Sequence, residues 1–372
     1  MIVKNESAVI ERCLESVAKY IDYWVICDTG STDGTQQKVQ HFFDVKNIPG
    51  ELFEDEWQDF AHNRNLALER AKKKAGYILI IDADDYLETS PNFQFAALKA
   101  DAYNLRVQLN ELVYFNTKLI RSDVAWEWRG VLHEFLFAEK VKPFVNYYGD
   151  YVMKATRDGD RSQDPEKYKH DIKVLEAALE KEPGHTRYQF YLAQTYRDLF
   201  EYDKAIEHYS KRVAMGGWGE EVYVSMLEVA RCLRKQGKPV DQIIEAYLKA
   251  YRFRPQRFEG LFEMLKLCRI TGRFFLGYQL CKDIKGGVLP KDILFVENAV
   301  YEWMYHDELA VCAINAHDFR MGASLLKRLL NKKVVPHHEV ERMRSNLQFA
   351  ESKLETQRKR PKRRKKGKRV SA

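Results

Sequence analysis

The stretch Tyr77-Ile78-Leu79-Ile80-Ile81-Asp82-Ala83-Asp84-Asp85 places two carboxylates, those of Asp82 and Asp84, one residue apart after an apolar run. A run of five apolar residues has the length of a buried strand. Because Mg²⁺ and Mn²⁺ prefer oxygen ligands, an acidic turn at this place can hold a divalent cation against a diphosphate. For the pattern taken alone, a solvated turn without a ligand is the alternative.

Strand and helix patterns alternate around this stretch over about the first 150 residues. Such alternation predicts a parallel sheet with helices on both faces. Ligands of such sheets bind beyond the carboxyl ends of the strands, which is where the acidic turn would lie. The predicted strands are Met1–Val3, Tyr23–Cys27, Glu51–Phe53 and Tyr77–Ile81, and the predicted helices are Ser7–Tyr20, Asp33–Phe43 and Trp57–Lys74.

A second turn, Asp28-Thr29-Gly30-Ser31-Thr32-Asp33-Gly34-Thr35, follows the strand that ends at Cys27. Gly30 and Gly34 permit a tight path from strand to helix. Asp28, at the strand end, is predicted to accept a hydrogen bond from a nucleobase or ribose. Ser31 and Asp33 are assigned to capping the next helix, a role that Thr32 could also fill.

Helical patterns fill the chain from about Asp164 to the C-terminal tail. Pro183, Pro255 and Pro290 are separated by 72 and 35 residues, close to two units and one unit of about 36. Segments around Ala193, Ala230 and Leu265 share small and aromatic positions. This pattern predicts tetratricopeptide-like helix pairs, in which each pair buries its apolar face against the next. An irregular helical bundle is the alternative.

The basic character of the chain is confined to its C-terminus. The net charge is +7, but residues 358–369 hold ten Lys or Arg and no acid, which leaves −3 for the remainder. Such a segment is predicted to be a disordered tail over residues 356–372. It serves either solubility or contact with an anionic partner such as nucleic acid.

Cysteine usage and hydropathy indicate a cytoplasmic protein. The six cysteines are scattered and form no Cys-x-x-Cys pair, so neither a zinc site nor a redox motif is indicated. Buried free thiols in a reducing compartment are the expectation. No apolar run approaches the roughly 18 residues of a membrane span, and the first residues lack the pattern of a signal peptide.

Four motifs in order resemble the family 2 glycosyltransferases with the GT-A fold. They are Met1-Ile2-Val3-Lys4-Asn5-Glu6, Asp28 to Thr35, Asn63-Arg64-Asn65, and Asp82-Ala83-Asp84-Asp85. A branch of that family carries tetratricopeptide-like repeats after the transferase domain. The resemblance implies an α/β GT-A (Rossmann-like) domain over residues 1–155, followed by an all-α repeat domain over residues 164–350.

The resemblance also implies roles for single residues. Asp84 and Asp82 would bind Mn²⁺ or Mg²⁺, and Asp85 would bind metal or sugar hydroxyls in a catalytic role. The residues implied to bind the nucleotide sugar are Val3, Asn5, Glu6, Asp28, Arg64, Asp82 and Ala83. A surface position on its helix is the alternative for Arg64.

The segment Trp126-Glu127-Trp128-Arg129-Gly130-Val131-Leu132-His133-Glu134 extends the resemblance, because this branch carries a His-Glu pair after the acidic turn. His133 would bind the metal or a phosphate, and Glu134 would be the general base. Trp126 and Trp128 would stack on sugar faces, with a place in the core as the alternative. The Glu-Asp base motif of the wider family is not evident.

The resulting hypothesis is an inverting, metal-dependent hexosyltransferase that uses a nucleotide sugar, with a uridine diphosphate (UDP) sugar implied by the family. Helical repeats bind extended polypeptide on concave surfaces, so a protein or peptide acceptor is expected. Carbohydrate, lipid-linked and modified nucleic-acid acceptors are alternatives. An inert repeat scaffold would have lost the acidic turn, and a nucleic-acid-binding protein would interleave basic and aromatic residues on a folded face.

Overall fold

The computed structural model describes residues 1–110, 112–141, 144–284, 286–332 and 334–359, and the chain divides into two compact units, Met1–Tyr191 and Leu192–Ala372. The strands are β1 (Ile2–Val3), β2 (Trp24–Asp28), β3 (Gly50–Glu54), β4 (Tyr77–Leu79), β5 (Tyr86–Thr89), β6 (Ala102–Leu109), β7 (Leu112–Arg121), β8 (Glu127–Arg129), β9 (Phe135–Phe137), β10 (Val145–Asn146) and β11 (Tyr151–Lys154). The helices of the first unit are α1 (Ile10–Val17), α2 (Thr35–Lys46), α3 (Phe60–Ala71), α4 (Asp160–Gln163) and α5 (Lys167–Lys181). Helix α6 (Thr186–Asp198) crosses the division, and α7 (Tyr202–Met215), α8 (Gly219–Lys235), α9 (Val240–Phe253), α10 (Glu259–Ile270), α11 (Phe274–Cys281), α12 (Tyr305–Asn315), α13 (Phe319–Asn331) and α14 (His337–Lys359) follow it.

The first sheet is parallel and has the order β1-β2-β3. Ile2 pairs with Cys27, and Trp24 pairs with Gly50. Helices α1 and α2 bury an apolar face against this sheet, where the ring of Trp24 stacks on Phe43 with centroids 4.4 Å apart. The turns that follow β1 and β2 therefore leave the sheet at the same edge.

The second sheet has the order β4-β7-β6-β11-β5, with β10 also paired to β6. Strand β4 pairs antiparallel with β7, Ile78 opposite Ile120. The prediction of one parallel sheet that includes this strand is therefore wrong. The partner of β4 is β7, which forms a long hairpin with β6. An apolar run in the sequence indicates a buried strand but does not show which strand it pairs with.

Three element boundaries differ from the predicted ones for local reasons. Strand β4 ends at Leu79, two residues before the predicted end. Helix α3 begins at Phe60 because the Asp59 side chain accepts a hydrogen bond from the His62 amide at 2.8 Å and caps the helix. Helix α2 begins at Thr35, and Gly34, whose φ of +90° suits glycine, occupies the N-cap position. The predicted caps Ser31, Thr32 and Asp33 therefore lie before that position.

The second unit is all-α, and its consecutive helices pack against one another from α7 to α14. Positions predicted from the repeat pattern are fully buried, among them Ala205, Tyr209, Ala230, Tyr247 and Ala250. Left-handed turn residues precede α7, α9, α11 and α13 at intervals of 37, 35 and 45 residues; they are Phe200, Gly237, Gly272 and His317. This arrangement confirms the predicted fold class of an α/β domain followed by stacked helix pairs.

Several other predictions have specific outcomes. All six cysteines are buried and free, as predicted. Helix α14 continues to Lys359, so the first residues of the predicted disordered tail are helical, and residues 360–372 lie outside the described part. The domain limits at 155, 164 and 350 stay predictions; the compact unit that contains the strands extends to Tyr191. Within the described residues, no helix has the length and apolar character needed to cross a membrane.

Candidate active site

A cleft of about 1150 Å³ opens in the first unit beside the acidic turn. The cleft is lined by residues after β1, by the start of α3 and by the acidic turn. Residues of helices α4 and α5 also line it. Among the predicted site residues, those that line the cleft are Val3, Glu6, Arg64, Asp82, Ala83 and Asp84.

Asp28 organises the turn after β2 from a fully buried position. Its Oδ1 accepts hydrogen bonds from the Gly30 amide at 2.9 Å, the Ser31 amide at 2.7 Å and Gln36 Nε2 at 3.0 Å. Its Oδ2 is buried and has no hydrogen-bond partner among the described residues. Asp28 thus shapes the turn, and its contact with a nucleotide stays a prediction.

The turn after β1 is joined to the turn after β2 by backbone-to-side-chain hydrogen bonds. The Asn5 amide donates to Ser31 Oγ at 2.8 Å, and Asn5 Oδ1 accepts from the Thr32 amide at 2.9 Å. The Glu6 amide donates to Thr35 Oγ1 at 2.8 Å. These contacts fix the backbone of Glu6, so its carboxylate projects from a rigid loop into the cleft.

Asp82 is held by two cations. Arg64 Nη2 donates to Asp82 Oδ1 at 2.7 Å, and Lys118 Nζ lies 3.5 Å from Oδ2. Arg64 also donates from Nε to Glu134 Oε1 at 2.6 Å. Burial opposes ionisation of Asp82, but Arg64 and Lys118 outweigh it and hold the pKa of this carboxyl well below its usual range. Asp82 is therefore ionised and paired with both cations, which it shares with Glu134 and Asp85.

Asp84 and Glu6 differ from Asp82, because neither carboxylate forms an ion pair within the described part of the chain. A methyl group added at Gly159 would lie 2.9 Å from Glu6 Oε2 and 3.2 Å from Asp84 Oδ2, so both carboxylates face the same small space. Glu6 Oε2 is buried with no hydrogen-bond partner among the described residues. Burial and the charge of Asp84 raise the pKa of Glu6 to about 7, and burial and Asp82 raise the pKa of Asp84. The pair has excess negative charge, which a cation would relieve.

Comparison with known proteins places this geometry in a family. Residues 1–102, which carry all four sequence motifs, match the model of glycosyl transferase family 2. These residues are a family 2 glycosyltransferase domain. They include β1 to β5 and the acidic turn, whereas Lys118 and Glu134 lie beyond the match.

Two curated relatives match 88 residues of this chain over part of their own length. A lipopolysaccharide core biosynthesis glycosyltransferase, LpsC, of Rhizobium meliloti is 34% identical over 88 residues, which are 24% of this chain and 31% of the relative. A TPR repeat-containing protein of Synechococcus elongatus is 34% identical over 88 residues, which are 23% of this chain and 20% of the relative. The match thus spans less than a third of either relative.

Solved structures with similarity to this chain include repeat proteins. A tetratricopeptide repeat protein from Parabacteroides merdae has a TM-score of 0.36 and 14% identity, with 51% of this chain and 69% of that chain covered. A thermophilic TPR protein of Thermus thermophilus has a TM-score of 0.31 and 16% identity, with 49% and 91% covered. The fold of the second unit is defined by the packing of consecutive helices from α7 to α14.

Sequence reasoning missed Lys118, a buried lysine of β7 in the glycosyltransferase site. Its Nζ lies 3.4 Å from Asp85 Oδ2 as well as 3.5 Å from Asp82 Oδ2. Burial raises the pKa of Asp85 to about 6, and Lys118 limits that rise. Asp85 is buried and does not line the cleft. A single lysine among the apolar residues of a strand is a signal that such a cation is buried and paired.

A second missed residue is Arg12 of helix α1, which ties the loop before α4 to the acidic turn. Its guanidinium binds both oxygens of Asp158, at 2.8 and 2.9 Å, and donates to the Asp84 carbonyl at 2.9 Å. Thr156 Oγ1 donates to the same carbonyl at 2.6 Å. Because the bidentate Arg–carboxylate geometry is specific, it fixes the backbone of Asp84 relative to Gly159.

Residues 126–129 are anchored to the glycosyltransferase helix α3. Asn65 Nδ2 donates to the Trp128 carbonyl at 2.9 Å, and Asn65 Oδ1 accepts from the Trp128 amide at 2.7 Å. Trp126 is buried in the core, as its alternative reading held, so it is not available to stack on a sugar. Trp128 is half-buried, and the guanidinium of Arg64 lies 5.2 Å from its ring centroid.

His133 lies outside the residues that line the cleft. Its ring stacks on Tyr191 with centroids 3.8 Å apart, and its carbonyl accepts two hydrogen bonds from Arg187. Loss of solvent around the ring and the charges of Arg187 and Arg161 lower the pKa of His133 to about 4. The imidazole is therefore neutral at physiological pH, and its metal or phosphate contact stays a prediction.

Proposed function

We propose that the first unit transfers a sugar from a nucleoside diphosphate sugar, with a divalent cation bound between the acidic turn and the diphosphate. The observation that carries the proposal is the unequal charge balance of the acidic turn. Asp82 is ion-paired with Arg64 and Lys118, whereas Asp84 faces the cleft beside Glu6, and neither Asp84 nor Glu6 forms an ion pair among the described residues.

The donor set of the turn fits Mn²⁺ or Mg²⁺. Across the part of the chain that the structure describes, no group of three or more His, Cys, Asp and Glu side chains is arranged to hold a metal ion. A cation on Asp84 would thus take its remaining ligands from the diphosphate and water, the usual coordination of Mg²⁺ at nucleotide sites. When bound, the cation neutralises the charge that develops on the leaving diphosphate.

The protein residues of the cleft have separate tasks in this proposal. Val3, Ala83 and the rigid Glu6 backbone bind the nucleotide. Arg64 orders the acidic turn and Glu134 by contacting both. Glu134 does not line the cleft but contacts Arg64, which does; it is the proposed general base and would exchange this contact for the acceptor hydroxyl. A uridine nucleotide and inversion at the anomeric carbon follow from the family resemblance.

Two acceptor classes have support. The stacked helix pairs of the second unit favour a protein or peptide, because such repeats bind extended polypeptide. Trp57, an exposed aromatic residue that lines the cleft, favours a carbohydrate, because sugars stack on aromatic rings. The LpsC relative is named for lipopolysaccharide core biosynthesis, which is consistent with a carbohydrate acceptor.

Nucleotide binding and donor hydrolysis test the proposal. We expect UDP to bind in calorimetry with Mn²⁺ and to bind weakly in EDTA. Asp84→Asn should remove this Mn²⁺ dependence and lower hydrolysis of UDP-hexoses at least about 100-fold, the range for loss of a charge-stabilising group. Asp123→Asn, at an exposed aspartate paired with Arg121, is the matched control.

Two results would reject the proposal. A wild-type protein that binds no nucleoside diphosphate in a panel covering the common bases would be the inert scaffold of the alternative hypothesis. Full hydrolysis by Asp84→Asn, with unchanged Mn²⁺ dependence, would remove the acidic turn from the chemistry.

A further inference from the structure

The connection between α11 and α12 in the second unit displays aliphatic side chains to solvent. It is not helical over residues 286–297. Within this loop Val288 is 88% exposed, Ile293 is 81% exposed and Leu289 is 50% exposed. Single exposed aliphatic residues are common on protein surfaces, but three within six residues of one loop are not explained by chance exposure. The loop therefore has the character of a contact surface.

The start of the loop is packed against the helices behind it. A methyl group added at Gly286 would overlap the ring of His306, and one added at Gly287 would lie 3.1 Å from the ring of Tyr301. The backbone at these two glycines approaches both rings more closely than any other residue would allow. The exposed stretch thus begins from a fixed point.

The end of the loop is held by ion pairs and a helix start. Arg254 binds both carboxylate oxygens of Asp292, at 2.6 and 2.7 Å. Glu220, in the first turn of α8, accepts hydrogen bonds from the amides of Ile293 and Leu294, each at 2.8 Å. Because the backbone of Ile293 is fixed in this way, its aliphatic side chain is held in solvent.

A fully buried arginine completes this attachment. Arg257 donates to the carbonyl of Leu294 at 3.0 Å and to that of Phe295 at 3.1 Å. Phe295 has a φ of +48°, in the left-handed region that bulky residues avoid. Such a conformation persists only where the surroundings impose it. The structure thus maintains a strained loop whose aliphatic side chains do not fold inward.

The charges near these side chains are basic. Lys291 is exposed and forms no ion pair among the described residues, whereas the neighbouring Asp292 is paired with Arg254. In the sequence of the same unit, residues 358–369 hold ten Lys or Arg and no acid. Apolar side chains together with a polybasic segment are the two signals that hold a protein on an anionic bilayer.

The size of the apolar stretch also favours a lipid surface over a protein partner. Three aliphatic side chains cover far less than the roughly 800 Å² that each partner of a stable protein complex buries. A bilayer needs no matching surface, because side chains that protrude from a loop can enter the boundary between the head groups and the acyl chains.

We propose that the second unit binds the surface of an anionic lipid bilayer through residues 288–293 and the basic segment 358–369. Val288, Leu289 and Ile293 enter the bilayer boundary, and Lys291 and the basic segment contact lipid phosphates. Binding is peripheral and brings the chain to a membrane surface. This proposal does not depend on the proposed glycosyl transfer.

Co-sedimentation of the full chain with vesicles tests the proposal. The vesicles are phosphatidylcholine alone or phosphatidylcholine mixed with phosphatidylglycerol. One variant combines Val288→Asp with Ile293→Asp, and a second has glutamine at the five basic positions 362–366. Val45→Asp is the matched control, because Val45 is 68% exposed and lies on α2 of the first unit. Thermal unfolding and donor hydrolysis are measured for every variant and should be unchanged.

We expect the wild type to bind the mixed vesicles and to bind phosphatidylcholine at least about tenfold more weakly. Both the aspartate pair and the glutamine variant should lower binding to mixed vesicles at least about tenfold, and Val45→Asp should leave it unchanged. In a separate Ile293→Trp variant, brominated phosphatidylcholine in the mixed vesicles should quench the added tryptophan fluorescence.

Four results would overturn the proposal. They are a wild type that binds RNA or duplex DNA but no vesicles, an aspartate pair that binds mixed vesicles like the wild type, an Ile293→Trp variant whose added fluorescence is not quenched, and an aspartate pair whose only defect in sedimentation velocity is the loss of a dimer. The last result would assign the loop to a second copy of the chain.

Discussion

Replacing Glu6 by glutamine should stabilise the protein when no ligand is bound, although Glu6 lines the proposed active site. Its carboxylate and that of Asp84 face the same space beside Gly159, and burial together with the charge of Asp84 raises the pKa of Glu6 from 4.5 to about 7. Glutamine keeps the shape of the side chain and removes the charge. Variants that lose a repelling active-site charge commonly gain stability at the expense of function.

The magnitude follows from the pKa change. One pKa unit corresponds to about 1.4 kcal/mol, so a change from 4.5 to about 7 gives about 3.5 kcal/mol at most. The Glu6 side chain is only partly buried, and solvent screening reduces the effect to about 1.5 kcal/mol. Because the native pKa is the higher one, the native state binds the proton more tightly. The contribution of Glu6 to the free energy of unfolding is therefore greatest below pH 4.5 and falls as the pH rises to about 7.

Urea unfolding in EDTA, followed by tryptophan fluorescence, measures this effect. Four of the six tryptophans belong to the first unit, so the signal reports mainly on that unit. We expect Glu6→Gln to be about 1.5 kcal/mol more stable than the wild type at pH 8 and equal to it at pH 4.5. The exposed Glu11→Gln change serves as the control. A Glu6→Gln variant that is less stable at pH 8, or equally shifted at both pH values, would refute this reasoning.

One further substitution tests each unit, and a third substitution serves as a control. Arg64→Met leaves Asp82 and the nearly buried Glu134 without their shared cation and should cost about 2–4 kcal/mol in the same unfolding experiment; a loss below about 0.5 kcal/mol would show that the two carboxylates are solvated. Gly322→Ala should cost about 1–3 kcal/mol in thermal unfolding, because the added methyl overlaps a side-chain carbon of helix α12. Gly184→Ala, which meets no atom within 4 Å, should stay within about 0.5 kcal/mol of the wild type.

The sequence indicated which short turns lie near one another, although the roles of their residues stay predictions. Glu6 follows β1, and Asp82 and Asp84 follow β4, within about five residues, and all three line one cleft. Arg64 was predicted from the resemblance alone, and the structure brings it to Asp82. The helix pairs were predicted because the small and aromatic positions recur at a fixed period.

What the sequence could not provide depends on pairing between distant segments. Lys118 is 36 residues from Asp82 and reaches it only because β4 pairs antiparallel with β7. Arg12 and Asp158 meet across 146 residues. Helix α3 begins at Phe60, which leaves Trp57 outside the helix. Periodicity in the sequence places such a boundary only to within a few residues. Hydrophobic patterns show which segments are buried, but they do not specify these partners.

Anomalous scattering from crystals soaked with UDP and MnCl₂ tests the central claim most directly. We predict a manganese peak that contacts an Asp84 carboxylate oxygen and the diphosphate together, with Asp82 still bound to Arg64 and Lys118. Bound UDP with no manganese at the acidic turn, or manganese held elsewhere in the cleft, would contradict the claim.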